Sequence, residues 1–322
     1  MSLPVILLAT AIAPSLRDAL ATRCEVLGPL AGDSPFAMQA RAMPVAQCVR
    51  VRAIISIGAV LIGGNTLALF PSLGLVCFTG SGYEGVDLAA ARLRGIAIAH
   101  SGNANAASVA ELAVGLMIAS VRGFREETLR LRNGEWSGVS SARPSVRRGL
   151  GGRRLGIYGM GAIGGEIAQR VLPFGMQIGY HNRRPIAGSA AVYCASLHEL
   201  AQWCDVLMIS VRADRTTRHA VNASVLDALG RDGHVINIAR GSVVDETALA
   251  DALSRGAIAG AGLDVFENEP IVPPALLALP TLVALPHIGG ASTQAREAMH
   301  AMVLANVDAF FADLPLPAPV RG

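Results

Sequence analysis

The sequence predicts an α/β protein built from two doubly wound parallel sheets. Short apolar runs alternate with helical stretches over the first hundred residues, and a second series of the same kind begins near residue 154. Such alternation is typical of a parallel sheet with helices on both faces. The chain has 322 residues, of which 52% are hydrophobic, so it can fill two cores.

In the first series, strands are predicted at 5–9, 24–27, 53–56, 75–78 and 97–99, and helices at 15–21, 65–70 and 86–94. A longer helix is predicted over 108–132, where Ser108 is the expected N-cap and Glu111 completes a capping box. Its first half is apolar nearly all round, which predicts burial between domains or between subunits. Residues 133–153 are rich in Gly, Ser and Arg and predict a loop.

In the second series, strands are predicted at 155–159, 177–180, 206–211, 234–239, 261–265 and 282–286. A helix over 165–172 follows the first of these strands. The last helix, over 293–311, is expected to be amphipathic and precedes a proline-rich tail.

The composition excludes several classes of protein. All 27 basic residues are arginine, so the sequence has no lysine for a Schiff base or for a Walker phosphate-binding loop. The net charge of +3 is too small to predict a nucleic-acid partner. The five cysteines form no C-x-x-C pair, which favours buried, reduced thiols and no metal site. We see no secretory or membrane-spanning segment, so we expect a cytoplasmic protein with no membrane partner.

The stretch GMGAIG, residues 159–164, lies between a predicted strand and a predicted helix. Gly159 would permit a tight turn, Gly161 would let the backbone approach a pyrophosphate, and Gly164 would let the helix pack on the strand. Together with Ala162 and Ile163, these residues would offer free N–H groups to an anion at a helix N-terminus. The motif predicts a dinucleotide site; the alternative is a plain strand–turn–helix.

The stretch HNRRP, residues 181–185, follows the second strand of this series, where NAD-binding proteins carry an Asp or Glu. Arg183 and Arg184 would instead attract the extra phosphate of NADP, and the Asn182 amide can donate to the same group. We therefore predict NADP as the cofactor, with NADPH preferred over NADH. The alternative is a solvated basic turn.

Three polar residues follow predicted strands of the second series: Arg240, Glu269 and His287. The carboxyl ends of parallel strands meet at one edge of a sheet, where ligands bind in open α/β folds. We expect these three side chains to converge on one crevice.

At this point the chain resembles the D-isomer-specific 2-hydroxyacid dehydrogenases. The matching stretches are 80–98, 108–124, 156–164, 236–253, 261–270 and 285–292. The NRR triplet at 182–184 is most similar to the NADP-dependent glyoxylate/hydroxypyruvate reductase branch, which includes hydroxyphenylpyruvate reductases. The resemblance implies a Rossmann-like cofactor domain, 101–289, inserted into a flavodoxin-like substrate domain, 1–100 and 290–322.

The resemblance also implies roles for residues. Arg240 would grip the substrate carboxylate, His287 would protonate the carbonyl oxygen, and Glu269 would be the carboxylate partner that favours the imidazolium form. Further cofactor contacts are implied for Val211, Arg212, Ile238, Asp264 and Gly289. The backbone N–H groups of Ala59, Val60 and Leu61 would meet the substrate carboxylate, although the family usually has glycine where Leu61 stands.

The implied function is NADPH-dependent reduction of a small 2-oxo acid, glyoxylate or hydroxypyruvate first, to the D-2-hydroxy acid. Within the class, 2-ketogluconate or an aryl pyruvate could be the substrate. The alternative to an enzyme is a non-catalytic protein that senses a dinucleotide and interacts with other proteins. The resemblance further implies a homodimer formed through 108–136, in which Trp136 either reaches the partner's active site or packs locally.

Overall fold

The computed structural model describes residues 3–30, 34–136 and 146–320. The chain divides into a first unit, Met1–Asn105 with Ser292–Gly322, and a second unit, Ala106–Ala291. The first division lies a few residues beyond the predicted one because residues 101–105 form turns after the last strand of the first unit. Part of the predicted loop at 133–153, residues 137–145, lies outside the described residues.

The first unit is a parallel sheet with helices on both faces. Its strands are β1 (Val5–Leu8), β2 (Glu25–Leu27), β3 (Val51–Ser56), β4 (Leu75–Phe78) and β5 (Ala97–Ala99). Its helices are α1 (Pro14–Ala21), α2 (Phe36–Arg41), α3 (Val45–Cys48), α4 (Gly64–Leu67), α5 (Leu88–Leu93) and α13 (Thr293–Phe311). The strand order is β2-β1-β3-β4-β5, and all the pairs are parallel.

The two faces of this sheet carry separate apolar cores, as alternating side chains require. Leu7 and Ile54 pack on one face with residues of α2, α4 and α5, whereas Ile6 and Ile55 pack on the other face. Val303, from α13, joins the second of these cores. The C-terminal helix therefore completes the first unit.

The second unit repeats this arrangement around a larger sheet. Its strands are β6 (Arg154–Tyr158), β7 (Gln177–His181), β8 (Val192–Tyr193), β9 (Val206–Ile209), β10 (His234–Asn237), β11 (Gly260–Leu263) and β12 (Leu282–Ala284). Its helices are α6 (Ala106–Val121), α7 (Phe124–Arg132), α8 (Ala162–Val171), α9 (Leu197–Trp203), α10 (Ala223–Leu229), α11 (Glu246–Ser254) and α12 (Pro274–Leu277).

The strand order of this sheet is β12-β11-β10-β9-β6-β7-β8, with every pair parallel. The chain runs from β6 outward to β8 and then returns to β9 on the other side of β6. The order therefore reverses between β6 and β9, and ligands bind at such a reversal in open α/β sheets.

The long predicted helix is broken. Gly123 has a left-handed backbone (φ 63°), and it separates α6 from α7, whose axes differ by 61°. The predicted N-cap is also wrong, because α6 begins at Ala106 and Ser108 lies inside it. The buried side of α6 belongs to the core of the second unit, where it includes Leu116 and Met117.

The other differences between the predicted and the observed elements are smaller. Helix α8 begins at Ala162, three residues earlier than predicted, directly after Gly161. The sequence interpretation did not place the short helices α2, α3, α9, α10, α11 and α12 or the two-residue strand β8. Several strands also end one or two residues earlier than predicted, which is the usual uncertainty of element ends.

All five cysteines lie in described ranges, where they are buried and unpaired. In the same ranges no single helix has the length and apolar character to cross a membrane, although α6 and α7 meet that test as a bent pair.

Candidate active site

The glycine turn after β6 is packed against the strand beside it. Gly159 has φ 96°, and a Cβ atom there would lie 2.4 Å from the Cα atom of Val211. A Cβ atom at Gly164 would lie 2.7 Å from the carbonyl oxygen of Gly159. Neither position has room for a side chain, so the turn and the helix that follows it are held close to the strand reversal.

Gly161 differs from these two glycines, because a Cβ atom built there would meet open space: apart from its own chain neighbours, no atom lies within 4 Å. It is the N-cap of α8, and Ala162, Ile163 and Gly164 form the first helical turn. The N–H groups of a first turn have no acceptor within their helix, and the helix dipole adds partial positive charge there. Open space beside such donors fits a pyrophosphate.

Asn182 makes a contact that the sequence did not predict. Its Oδ1 accepts the N–H of Met160 at 2.8 Å, and its Nδ2 donates to the carbonyl oxygen of Met160 at 3.3 Å. The amide therefore holds the glycine turn to the end of β7. The Nδ2 group has a second hydrogen that this contact does not use, so donation to a phosphate stays a prediction.

Arg183 and Arg184 follow Asn182 at the carboxyl end of β7, and both are exposed. Arg212 is also exposed, at the carboxyl end of β9. Asp214 follows Arg212 by two residues, and its pKa is below its ordinary value mainly because the Thr216 hydroxyl donates to it, with a smaller contribution from Arg183. The carboxyl ends of β7 and β9 therefore carry exposed arginines together with the acidic Asp214.

Glu269 and His287 meet at the carboxyl ends of β11 and β12. Nδ1 of His287 lies 2.7 Å from Oε2 of Glu269, and Oε1 of Glu269 accepts the N–H of Phe266 at 3.0 Å. Burial alone would raise the pKa of Glu269, but the bonds from His287 and Phe266 outweigh it and the pKa lies below its usual value. Glu269 is thus held as a carboxylate against the imidazole.

Arg240 lies at the end of the neighbouring strand β10. Its charge contributes to lowering the pKa of Glu269. A Cβ atom at Gly241 would lie 1.8 Å from the carbonyl carbon of Phe266, so the Arg240 turn sits directly on the Glu269 segment. The buried Asn237, which the sequence interpretation missed, donates its amide to the carbonyl oxygen of Arg240 at 3.0 Å.

A family of known proteins matches the part of the chain that carries the glycine turn and the Arg240, Glu269 and His287 side chains. Residues 114–289 match the family model described as the NAD-binding domain of D-isomer-specific 2-hydroxyacid dehydrogenases. The chain belongs to this family.

Relatives in the D-isomer-specific 2-hydroxyacid dehydrogenase family cover most of the chain. A 2-ketogluconate reductase of Gluconobacter oxydans is 38% identical over 84% of this chain and 86% of its own. A glyoxylate/hydroxypyruvate reductase of Arabidopsis thaliana is 37% identical over 84% of this chain and 83% of its own.

A solved structure is similar over nearly the whole length. It is an NADPH-dependent glyoxylate/hydroxypyruvate reductase from Sinorhizobium meliloti in complex with NADP and malonate, with 38% identity and a TM-score of 0.90. The similarity covers 99% of this chain and 97% of that one.

In this member of the family, the turn that carries His287 is held from two sides. Both oxygens of the buried Asp264 carboxylate accept N–H groups at 2.8 Å, one from Ile288 and one from Gly289. The Ser108 hydroxyl donates to the carbonyl oxygen of Gly289 at 2.9 Å. Burial raises the pKa of Asp264 despite these two bonds. Ser108 is a contact that the sequence interpretation had assigned to a helix cap.

The remaining predicted cofactor residues lie at the same edge of the sheet. Val211 touches the glycine turn, and Ile238 is a buried residue directly after β10. Gly289 is buried beneath the His287 turn, where a Cβ atom would lie 3.0 Å from an oxygen of Asp264. Among the described residues no group of three or more His, Cys, Asp or Glu side chains could hold a metal ion.

The predicted substrate loop follows β3 in the first unit, where the strand order of that sheet reverses. Ala59 and Leu61 are exposed there, and Leu61 exposes 75% of its surface. One of the three predicted N–H donors is already in use, because Val60 donates to the carbonyl oxygen of Ile57 at 3.1 Å. We therefore correct the prediction for Val60.

Proposed function

We propose that this protein is an NADPH-dependent reductase that converts a small 2-oxo acid, glyoxylate or hydroxypyruvate first, to the D-2-hydroxy acid. The observation that carries the proposal is the 2.7 Å contact between His287 and Glu269, beside the Arg240 turn. Relatives named for reduction of glyoxylate and hydroxypyruvate support the choice of substrate.

Each of the three side chains has a separate task. NADPH, when bound, supplies the hydride. Arg240 binds the substrate carboxylate, because a guanidinium meets a planar anion with two parallel hydrogen bonds. Nε2 of His287 donates a proton to the carbonyl oxygen, while Glu269 holds Nδ1 and stabilises the protonated ring. Chemistry of this kind needs a bound proton donor and a fixed substrate, and the three residues supply both.

The basic residues at the end of β7 support the preference for NADPH over NADH. Arg183 and Arg184 are exposed guanidinium groups at the place where an acidic residue would bind the ribose of NAD. Guanidinium groups bind phosphate with two hydrogen bonds, so they favour the cofactor with the extra phosphate. The Asn182 amide, which also holds Met160, would add a neutral donor beside the two arginines.

The assembly and the compartment are also proposals. Helix α7 buries none of its residues, and Phe124, Leu131 and Trp136 each expose more than half of their surface. Exposed apolar side chains of this size are typical of an interface. We propose that the 108–136 region forms a homodimer, in which Trp136 is covered by the partner or packs locally, and that the protein works in the cytoplasm.

A second substrate has specific support. The 2-ketogluconate reductase of Gluconobacter oxydans is as similar in identity as the Sinorhizobium meliloti enzyme, at 38%. A hydroxyphenylpyruvate reductase of Plectranthus scutellarioides is 34% identical over 85% of this chain.

The test is a steady-state assay with glyoxylate, hydroxypyruvate, 2-ketogluconate and hydroxyphenylpyruvate, each with NADPH and with NADH. Among the four substrates, we expect glyoxylate or hydroxypyruvate to have the highest kcat/KM. We expect NADPH to be a better cofactor than NADH. A higher kcat/KM for 2-ketogluconate would identify 2-ketogluconate, and not glyoxylate or hydroxypyruvate, as the preferred substrate. Tight NADPH binding without turnover of any 2-oxo acid would instead identify a dinucleotide sensor.

A further inference from the structure

Two histidines of the second unit contact the same short segment. Nε2 of His219 lies 3.0 Å from Oε1 of Glu267, and Nδ1 of His287 lies 2.7 Å from Oε2 of Glu269. Both histidines have a left-handed backbone, with φ 49° at His219 and φ 54° at His287. Such a conformation persists only where the surrounding contacts enforce it, and it is common at functional sites. The left-handed backbone of His219, like that of His287, is therefore held by contacts around it.

His219 joins the segments that carry Arg240 and Glu269. Its backbone N–H donates to the carbonyl oxygen of Ser242 at 2.8 Å, within the 3₁₀ turn that follows Arg240. Its imidazole reaches Glu267, two residues before Glu269. One residue thus connects two of the three strand ends that form the site.

Glu267 is held by further contacts, and we call Arg218, His219, Glu246 and Glu267 the Glu267 cluster. Nη2 of Arg218 lies 2.7 Å from the same carboxylate oxygen that His219 binds. The backbone N–H of Glu267 donates to Oε1 of the buried Glu246, also at 2.7 Å. The backbone and the side chain of Glu267 are therefore both fixed.

A displacement of Glu267 would also displace Glu269, because the backbone of residues 266–269 has little conformational freedom. Only Asn268 separates the two glutamates, and Oε1 of Glu269 binds the N–H of Phe266, on the other side of Glu267. The Gly241 backbone lies against this segment so closely that a Cβ atom there would be 2.1 Å from the nitrogen of Glu267. A shift of Glu267 must therefore move Glu269 or the Arg240 turn.

We propose that His219 is a positioning residue: by holding Glu267, it fixes Glu269 at the place from which Glu269 orients His287. The inference rests on the proposed proton donation by His287. His219 itself acts only through Glu267 and Glu269.

The first test compares His219→Gly with His219→Gln. Glycine adopts the left-handed backbone without strain, so it removes the imidazole contact while the fold is kept. Glutamine places an amide N–H near the position of Nε2 and can donate to Glu267. We expect His219→Gly to lower kcat by about tenfold or more, with KM for the 2-oxo acid and the affinity for NADPH nearly unchanged, and His219→Gln to restore most of kcat.

The matched control is His198→Gln, at an exposed histidine of α9, which should leave kcat unchanged. A normal kcat in His219→Gly would overturn the proposal. So would a loss of kcat accompanied by equal losses of NADPH affinity and thermal stability, without recovery in His219→Gln, because that pattern is general destabilisation.

A second measurement does not depend on turnover. In protein labelled with ¹⁵N-histidine, the His287 signals are assigned by their loss in His287→Asn. We expect Nδ1 of His287 to carry the hydrogen that binds Glu269 in the wild type, and its signal to shift toward that of a ring with mixed tautomers in His219→Gly. Unchanged His287 signals would reject the inference. If the wild type reduces no 2-oxo acid, the proposed function fails and this spectrum alone decides the positioning.

Discussion

His287 donates its backbone N–H to the carbonyl oxygen of Asp264 at 2.8 Å, and the carboxylate of the same aspartate accepts the next two N–H groups of the chain. The left-handed backbone of His287 costs about 1–3 kcal/mol, which these bonds must offset. Asp264 therefore shapes the turn that presents the imidazole, whatever contact it also makes with a nicotinamide.

Asp264→Asn should destabilise the protein more than Ser108→Ala. The amide has one acceptor oxygen, so one buried N–H loses its partner, at about 1–3 kcal/mol. Ser108→Ala removes a single neutral hydrogen bond to Gly289, worth about 0.5–1.5 kcal/mol. Denaturant unfolding of both variants measures the difference. An Asp264→Asn protein as stable as the wild type would show that the turn does not depend on this carboxylate.

His287→Asn should abolish most turnover while NADPH still binds. Asparagine tolerates a left-handed backbone, so the turn is kept, but it cannot donate a proton in the reaction. We expect kcat to fall by about 10²–10⁴-fold, with NADPH affinity, measured by the fluorescence of the bound cofactor, close to that of the wild type. His198→Asn is the control. A near-normal rate in His287→Asn would show that His287 is not the proton donor.

Replacing Arg183 and Arg184 together by alanine should weaken NADPH binding far more than NADH binding. Each charge-assisted contact to a phosphate contributes about 1.5–3 kcal/mol, and NADH lacks that phosphate. The affinities for both cofactors are measured by titration. Arg231→Ala is a matched control, because Arg231 is exposed in the loop before β10, at the opposite edge of the same sheet. Equal losses for the two cofactors would contradict our assignment.

Arg240→Lys should lower kcat/KM by about tenfold or more, because an ammonium group cannot supply two parallel hydrogen bonds to a carboxylate. Steady-state kinetics with glyoxylate, compared with those of Arg231→Lys, would measure the effect. An unimpaired Arg240→Lys enzyme would mean that a single positive charge suffices for the substrate.

The stability of the second unit should depend on pH through the buried His234. Nδ1 of His234 lies 2.9 Å from the Ser120 hydroxyl, and burial, with Arg153 and Arg147 adding to it, lowers the pKa of His234 to about 4 from 6.5. The folded protein binds this proton more weakly than the unfolded chain does. The free energy of unfolding is therefore unaffected by His234 above pH 6.5 and decreases by about 3 kcal/mol as the pH falls toward 4.

The check on His234 is a comparison of unfolding at about pH 7.5 and about pH 5. His234→Gln, which cannot titrate, should lose less stability between these values than the wild type does, and His198→Gln should behave as the wild type. An identical pH dependence in His234→Gln would show that other groups are responsible.

The local sequence pattern predicts a residue's role correctly where that role depends on the residue's own backbone conformation and packing. Gly159 needs a positive φ and Gly164 needs close packing, and the glycine spacing predicts both. Long-range partners were not predictable in this way. Ser108 resembles a helix cap by its neighbours, yet it binds Gly289; Asn182 resembles a free donor, yet it holds Met160.

The alternation of strands and helices, the glycine turn and the positions of Arg240, Glu269 and His287 after successive strands can all be read from the order of residues in the chain. Parallel pairing brings such strand ends to one edge, so their neighbourhood follows from chain order. The pairing of distant polar groups, such as His219 with Glu267 and Ser120 with His234, is visible only in the folded protein. Hydrogen bonds depend on distances of about 3 Å between atoms, and for residues far apart in the chain those distances are set by packing.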